Sequence, residues 1–181
     1  IWFVPPPELD ALLVKYLFTS EKLSVQVHPR DDQAPPGSRG KEECWLILDA
    51  EPGAQLAIGF DQSVSAEKMR EAARDGSIEG LLTWHTVEAG DFFYLPAGTV
   101  HAIGAGLTLI EIQQNSDVTY RLYDYGRPRE LHRPTQHGRG LDEGGVEQAE
   151  VVAGYATEQQ VLGAVERRAV RVRIVEHRPA V

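Results

Sequence analysis

The run Gly90-Asp91-Phe92-Phe93-Tyr94-Leu95-Pro96-Ala97-Gly98-Thr99-Val100-His101 limits the fold more than any other stretch of the chain. Phe92 to Leu95 reads as a strand, Pro96-Ala97-Gly98 as a tight turn, and His101 as a residue of the strand that follows. Proline presets φ at the turn, and glycine accepts a backbone conformation that side chains forbid. A histidine held just past a rigid turn has a fixed direction, as a metal ligand requires. A second half-site, Gln26-Val27-His28-Pro29, lies upstream in another strand-like run.

The rest of the chain is punctuated in the same way. Leu12 to Phe18, Leu23 to His28, Cys44 to Leu48 and Gln55 to Phe60 are apolar, β-branched or alternating runs and read as strands. So do Leu107 to Gln114, Val118 to Tyr125 and Ala169 to Val175. Arg30 to Lys41 is rich in Asp, Pro, Gly and Arg and reads as a loop. Ser65 to Asp75 predicts a helix, with Ser65 as its cap, Met69, Ala72 and Ala73 as its apolar stripe and Gly76 as its end. Ser77 to Trp84 is expected to add a short helix. Many short strands around one helical insertion, at about residues 65–84, predict an all-β barrel or sandwich. Arg127 to Gly145 reads as loop.

With 181 residues the chain suits one domain, or one domain with a short appendage. Residues 1–132 are expected to form the core that carries the metal site. Residues 133–181 then form a loop-rich segment and a terminal strand that completes or caps it, or the whole chain is a single domain. The formal net charge is −9, so a nucleic-acid partner is not expected. No apolar run is long enough for a membrane span, and a single cysteine fits a reducing cytoplasm. The chain lacks an initiator methionine and opens on Ile1-Trp2-Phe3, as a piece of a longer protein would.

Alternation puts Gln26 and His28 on one face of their strand, and Leu109, Glu111 and Gln113 on one face of theirs. Thr119, Arg121 and Tyr123 share a third face. Gln, His, Glu and Arg pointing inward would give a polar interior, which is costly unless the charges are paired or bound to metal. The same spacing suits the solvent side of a sandwich, so spacing leaves Glu111 and Arg121 open between the two. Gln26, His28, Glu43 and His101 together offer amide, imidazole and carboxylate ligands, a set that suits zinc or a similar divalent ion. His85, His137 and His177 read as structural histidines, and Cys44 as a small core residue rather than a nucleophile.

Four blocks in order resemble type I mannose-6-phosphate isomerase in its short bacterial form, a zinc-dependent family of the cupin superfamily. They are Leu23-Ser24-Val25-Gln26-Val27-His28-Pro29, Gly40-Lys41-Glu42-Glu43-Cys44-Trp45, Pro96-Ala97-Gly98-Thr99-Val100-His101-Ala102-Ile103, and the run from Ile110 to Arg127. The resemblance covers roughly residues 12–132. It implies a cupin-type barrel or jelly roll with one zinc ion per chain, held by Gln26, His28, Glu43 and His101. It implies Arg121 as the catalytic arginine, with Lys41 and Glu111 as candidates for the proton-transfer base. Glu42 departs from the family, where Thr or Pro is usual, and sets a second negative charge beside Lys41. Ala105 replaces the terminal Asn of the general cupin pattern.

The implied reaction interconverts mannose 6-phosphate and fructose 6-phosphate through an enediol, as part of carbohydrate metabolism. It needs a group that takes and returns a proton and a group that stabilises developing oxygen charge. Arg39, Arg127 and Arg129 are candidates for the phosphate, and Tyr120, Tyr123 and Tyr125 for the pocket wall or the core. Two other readings stand beside this one. One is a cupin that binds a sugar or sugar phosphate without turning it over. The other is an iron-dependent cupin oxygenase, against which Gln26 in place of a histidine argues.

Overall fold

The computed structural model describes residues 1–127 and 171–173. The strands are β1 (Trp2–Phe3), β2 (Leu12–Thr19), β3 (Val25–Val27), β4 (Glu43–Ala50), β5 (Gln55–Phe60), β6 (Leu82–Thr86), β7 (Asp91–Leu95), β8 (His101–Ile103), β9 (Leu107–Gln114), β10 (Tyr120–Tyr123) and β11 (Arg171–Arg173). One helix, α1 (Ala66–Asp75), and short 3₁₀ turns at Pro7–Leu9 and Ser77–Leu81 complete the elements of the described residues. The strands form a six-stranded sheet in the order β1-β2-β9-β4-β7-β11 and a five-stranded sheet in the order β10-β3-β8-β5-β6. Every pairing is antiparallel.

Strict alternation along the strands sorts the side chains into layers. Between the sheets lie Trp45, Ile47, Leu56, Ile58, Phe93, Leu95, Ile103, Leu107 and Leu109. The other face of the five-stranded sheet, through Val25, Val27, Ala57 and Ala102, packs on Met69, Ala72 and Ala73 of α1 and on Ile78. The Ser65 hydroxyl caps α1 by accepting from the Lys68 amide at 3.2 Å, and Gly76 ends the helix in the left-handed conformation. The sequence and the structure therefore agree on the helix and on its buried stripe.

They differ at Ser77 to Trp84. Only Ser77–Leu81 is helical, as a 3₁₀ turn, and Leu82 begins β6. Pairing with β5, through Ala57 opposite Trp84 and Leu56 opposite His85, draws this segment into the sheet and overrides its local pattern. The predicted strand at Val118 to Tyr125 shrinks to Tyr120–Tyr123. A register shift between Arg121 and Tyr123 breaks its alternation, so Tyr123 packs with the helix-side core. Part of the predicted terminal strand is present as β11, antiparallel to β7. No helix among the described residues is long and apolar enough to cross a membrane.

Candidate metal centre and substrate cavity

Register builds the site. In the five-stranded sheet Arg121 lies opposite Gln26 and Gln26 opposite His101, which places the three in one row. In the six-stranded sheet Leu13, Gln113 and Glu43 form one row, and Lys15, Glu111 and Trp45 form the next. The row after that, Leu17, Leu109 and Ile47, is apolar. The space between the sheets is thus polar at one end and hydrocarbon at the other. Glu111 and Gln113 are buried while Ile112, between them, is exposed. The inward reading of the polar face is therefore correct for Glu111.

The turn after β7 sets His101. Gly98 takes φ +85°, and its amide donates to the His28 carbonyl at 2.8 Å, which ties the two half-sites together. His28, Glu43 and His101 are all buried, and they offer ligand atoms that all lie within 4.8 Å of one another. His28 Nδ1 stands 3.0 Å from the Val118 carbonyl, and His101 Nδ1 stands 2.9 Å from the Thr99 carbonyl. A carbonyl can only accept, so in each ring Nδ1 carries the proton and Nε2 presents a lone pair to the centre.

There the two Nε2 atoms meet the Glu43 carboxylate, at 3.2 Å for His28 and 3.6 Å for His101. Burial pushes His28 down to about 3, with Lys41 adding to the effect, so at neutral pH the imidazole carries no charge to offset the carboxylate. His101 is lowered as well, chiefly by burial. Acceptor faces acceptor, and among the described residues His28 Nε2 and both Glu43 oxygens have no hydrogen-bond partner. Three buried acceptors aimed at one point are a poor arrangement for a protein and a good one for a cation. The Val118 and Thr99 carbonyls, which hold the far nitrogen of each ring, complete the fit. Gln26 Nε2 lies 3.2 Å from His101 Nε2, and a half-turn of the amide would bring its oxygen to the same spot.

Lys41 approaches Glu43 Oε1 to 3.2 Å, a charge contact without hydrogen-bond alignment. Burial works against the Glu43 carboxylate. The Lys41 ammonium, with the His28 and His101 rings wherever they carry a proton, outweighs it and holds the carboxyl well below its usual range. Since His28 is neutral, Lys41 is the standing positive charge in that balance. Glu42 does not crowd Lys41. It sits on the opposite face and accepts from the Tyr94 hydroxyl at 2.6 Å, so the expected second negative charge beside the lysine is absent from the site.

A cavity of about 650 Å³ opens beside the triad, with Gln26 and Lys41 at the boundary and Lys15, Arg39, Glu111 and Arg121 around it. Lys15 was not among the residues singled out from the sequence. Its ammonium donates to Glu111 Oε1 at 2.8 Å and also to Gln113 Oε1. Burial pushes Lys15 below the ordinary lysine range, against the pull of Glu111. It is the one charge in Leu12-Leu13-Val14-Lys15-Tyr16-Leu17-Phe18, a pattern that marks the position without assigning it a side of the sheet.

Of the arginines considered for an anion, Arg39 lines the cavity. Arg127 instead binds Asp124 and the Lys22 carbonyl and stacks near Tyr125. Arg129, His137 and His177 lie outside the described residues. His85 contacts the Phe93 ring and stands apart from the triad. Tyr120 is core, and Tyr123 and Tyr125 pack against it. Cys44 is not core. It is half-buried on the outer face of β4, because alternation sends it away from Glu43, and burial raises its thiol.

Two antiparallel sheets with buried histidines and a glutamate converging between them at one end define a cupin-type β fold with a candidate metal site. Comparison with known proteins narrows the class. No protein-family model matches the chain. It is 46% identical over 129 residues to the mannose-6-phosphate isomerase of Streptococcus mutans, a match that covers 67% of this chain and 40% of that protein. It is 46% identical over 130 residues to the mannose-6-phosphate isomerase ManA of Bacillus subtilis, covering 67% and 41%. The crystal structure of the mannose 6-phosphate isomerase from Bacillus subtilis superposes with a TM-score of 0.66 at 38% identity, over 78% of this chain and 44% of that one. A phosphomannose isomerase mutant from Salmonella typhimurium shares the fold, with a TM-score of 0.54 at 13% identity, over 78% and 53%. The chain is a homologue of the bacterial mannose-6-phosphate isomerases and spans 40–44% of the length of the curated relatives it matches.

Proposed function

We propose that this chain carries the catalytic centre of a zinc-dependent aldose–ketose isomerase acting on mannose 6-phosphate and fructose 6-phosphate. The observation that carries the reading is the set of unpartnered buried acceptors on His28, Glu43 and His101, beside a cavity lined by Lys15, Lys41, Glu111 and Arg121. His28, Glu43, His101 and Gln26 would hold one divalent ion, which when bound supplies a Lewis acid for the sugar oxygens.

The protein's own groups do the rest. Arg121, always protonated, stabilises the oxygen charge that develops as the enediol forms. Proton transfer between C1 and C2 falls to Lys41 or Glu111. Glu111 is bonded to Lys15, so a proton taken by one is shared with the other along a short path. The cations around the cavity, Arg39 among them, favour a phosphorylated sugar. The same site with turnover removed would be a sugar-phosphate-binding cupin, but Lys41, Glu111 and Arg121 together at the cavity wall exceed what binding alone requires.

The test is a coupled assay of mannose 6-phosphate turnover on the zinc-loaded chain, run beside Arg121→Ala. Activity is expected to vanish with EDTA, to return with zinc, and to fall about a thousandfold in the variant, as for loss of one oxyanion-stabilising donor. One zinc bound per chain with no turnover would sink the isomerase and leave the binding cupin.

A further inference from the structure

Lys41 stands at the end of the long loop that leaves His28, and the backbone around it is tied down at every step. The Lys41 amide donates to the Pro29 carbonyl at 3.0 Å, which closes the loop at its base. The Gly40 amide donates to Asp31 Oδ1 at 2.8 Å. The Glu42 amide donates to Gln114 Oε1 at 2.9 Å, and the Gln114 amide returns a bond to the Glu42 carbonyl at 3.1 Å. The Ser116 hydroxyl holds the Arg39 carbonyl at 2.8 Å. The two side-chain anchors are also joined to each other, because Gln114 Nε2 donates to both oxygens of the Asp31 carboxylate, at 3.3 Å to Oδ1 and 3.5 Å to Oδ2.

This joint has a polarity. Asp31 can only accept, so Gln114 must turn its NH₂ toward it, and that turns the amide oxygen toward the Glu42 N–H. We infer that Asp31 and Gln114 form a positioning pair that fixes the Gly40-Lys41-Glu42 backbone, and through it the direction of the Lys41 side chain into the cavity. Neither residue touches the triad. Gln114 is on the outer side of β9, and Asp31 is exposed. The kinetic part of this inference rests on the isomerase reading; the structural part does not.

Polarity makes a sharp test possible. Asp31→Asn keeps Oδ1 as the acceptor for Gly40 but replaces Oδ2, which lies 3.5 Å from Gln114 Nε2, by an NH₂ that opposes the NH₂ of Gln114. Gln114→Glu keeps an acceptor for Glu42 but sets two carboxylates face to face. Combining them restores the joint with its direction reversed, since the asparagine NH₂ then donates to the new carboxylate. Two measurements are made on the zinc-loaded full chain, namely kcat and KM for mannose 6-phosphate, and hydrogen exchange at the Gly40 and Glu42 amides.

Each single variant is expected to lose about ten- to a hundredfold in kcat, the scale of a small misplacement at a reacting centre. KM should change much less, and exchange at both amides should quicken. The double variant should recover both readouts toward wild type. Single variants with normal kcat and normal protection would overturn the inference, as would a double variant no better than the worse single one. If the wild-type chain turns nothing over, the isomerase reading fails by itself. Amide exchange alone then decides whether the pair holds the loop.

Discussion

Glu43 is where charge balance is most exposed to test. Without a cation, its carboxylate faces the lone pairs of two neutral imidazoles, and Lys41 is the cation in contact with it among the described residues. His28 is held near 3 in the fold against about 6.5 in the open chain. As pH falls, the unfolded chain therefore takes up the proton first, and stability declines from about pH 6.5 downward until the folded ring also protonates. His101 acts in the same direction. Glu43, held well below its usual range, contributes stability that is present above 4.5 and lost at still lower pH. In chelator-treated protein, the melting temperature should fall steadily between about pH 6.5 and pH 4. His28→Gln should flatten the upper part of that slope. A flat profile in the unsubstituted chain would mean that His28 is charged in the fold. The placement of Gln26, His28 and His101 was legible in the sequence because Pro29 and the Pro96-Ala97-Gly98 turn mark it. Lys15 was not, because a lone lysine in an apolar strand looks the same whether it faces water or a buried glutamate. Only the register that sets it opposite Glu111 tells the two apart.

At the scale of elements, the crossing from β8 to β9 depends on how closely two backbones approach. Gly104 donates its amide to the Gln55 carbonyl at 3.0 Å, and a Cβ placed there would lie 2.0 Å from that oxygen. The obstacle is backbone in β5, not the end of a flexible side chain, so one of the two strands must shift. Gly104→Ala should cost about 2–3 kcal/mol, the upper range for overpacking, read as a lower midpoint in urea with an unchanged slope. A loss under about 0.5 kcal/mol, typical of an unremarkable surface site, would show that the β5–β8 edge yields freely. Most elements were legible for a related reason. Strands bounded by Gly and Pro carry their limits in the sequence, and the Ser65 cap and Gly76 end do the same for α1. Leu82–Thr86 was missed because its strand character comes from β5, which is distant in sequence. The bulge in β10 was missed because no local residue pattern announces it.

For the whole molecule the outer face of the six-stranded sheet matters most. The five-stranded sheet has its outer side covered by α1, whereas no element of the described residues covers the corresponding side of the other sheet. One row across it reads Phe3, Val14, Ile112, Cys44, Tyr94, and the next reads Tyr16, Ile110, Leu46, Phe92. Phe18 is 64% exposed and Ile112 40%. An antiparallel sheet that faces water ordinarily alternates apolar-in with polar-out. This one is apolar on both sides, and a patch of such extent marks an interaction surface or an association hazard. The negative charge of −9 opposes association by long-range repulsion, but salt screens that term and leaves the apolar one intact. The 181-residue chain should therefore sediment as larger species as concentration and salt rise, and should bind a hydrophobic dye. Phe18→Lys combined with Ile112→Lys should abolish both effects. Zinc stoichiometry should be unchanged, because both side chains point away from the His28, Glu43 and His101 triad. A chain that stays monomeric in high salt without binding dye would mean that this face is covered.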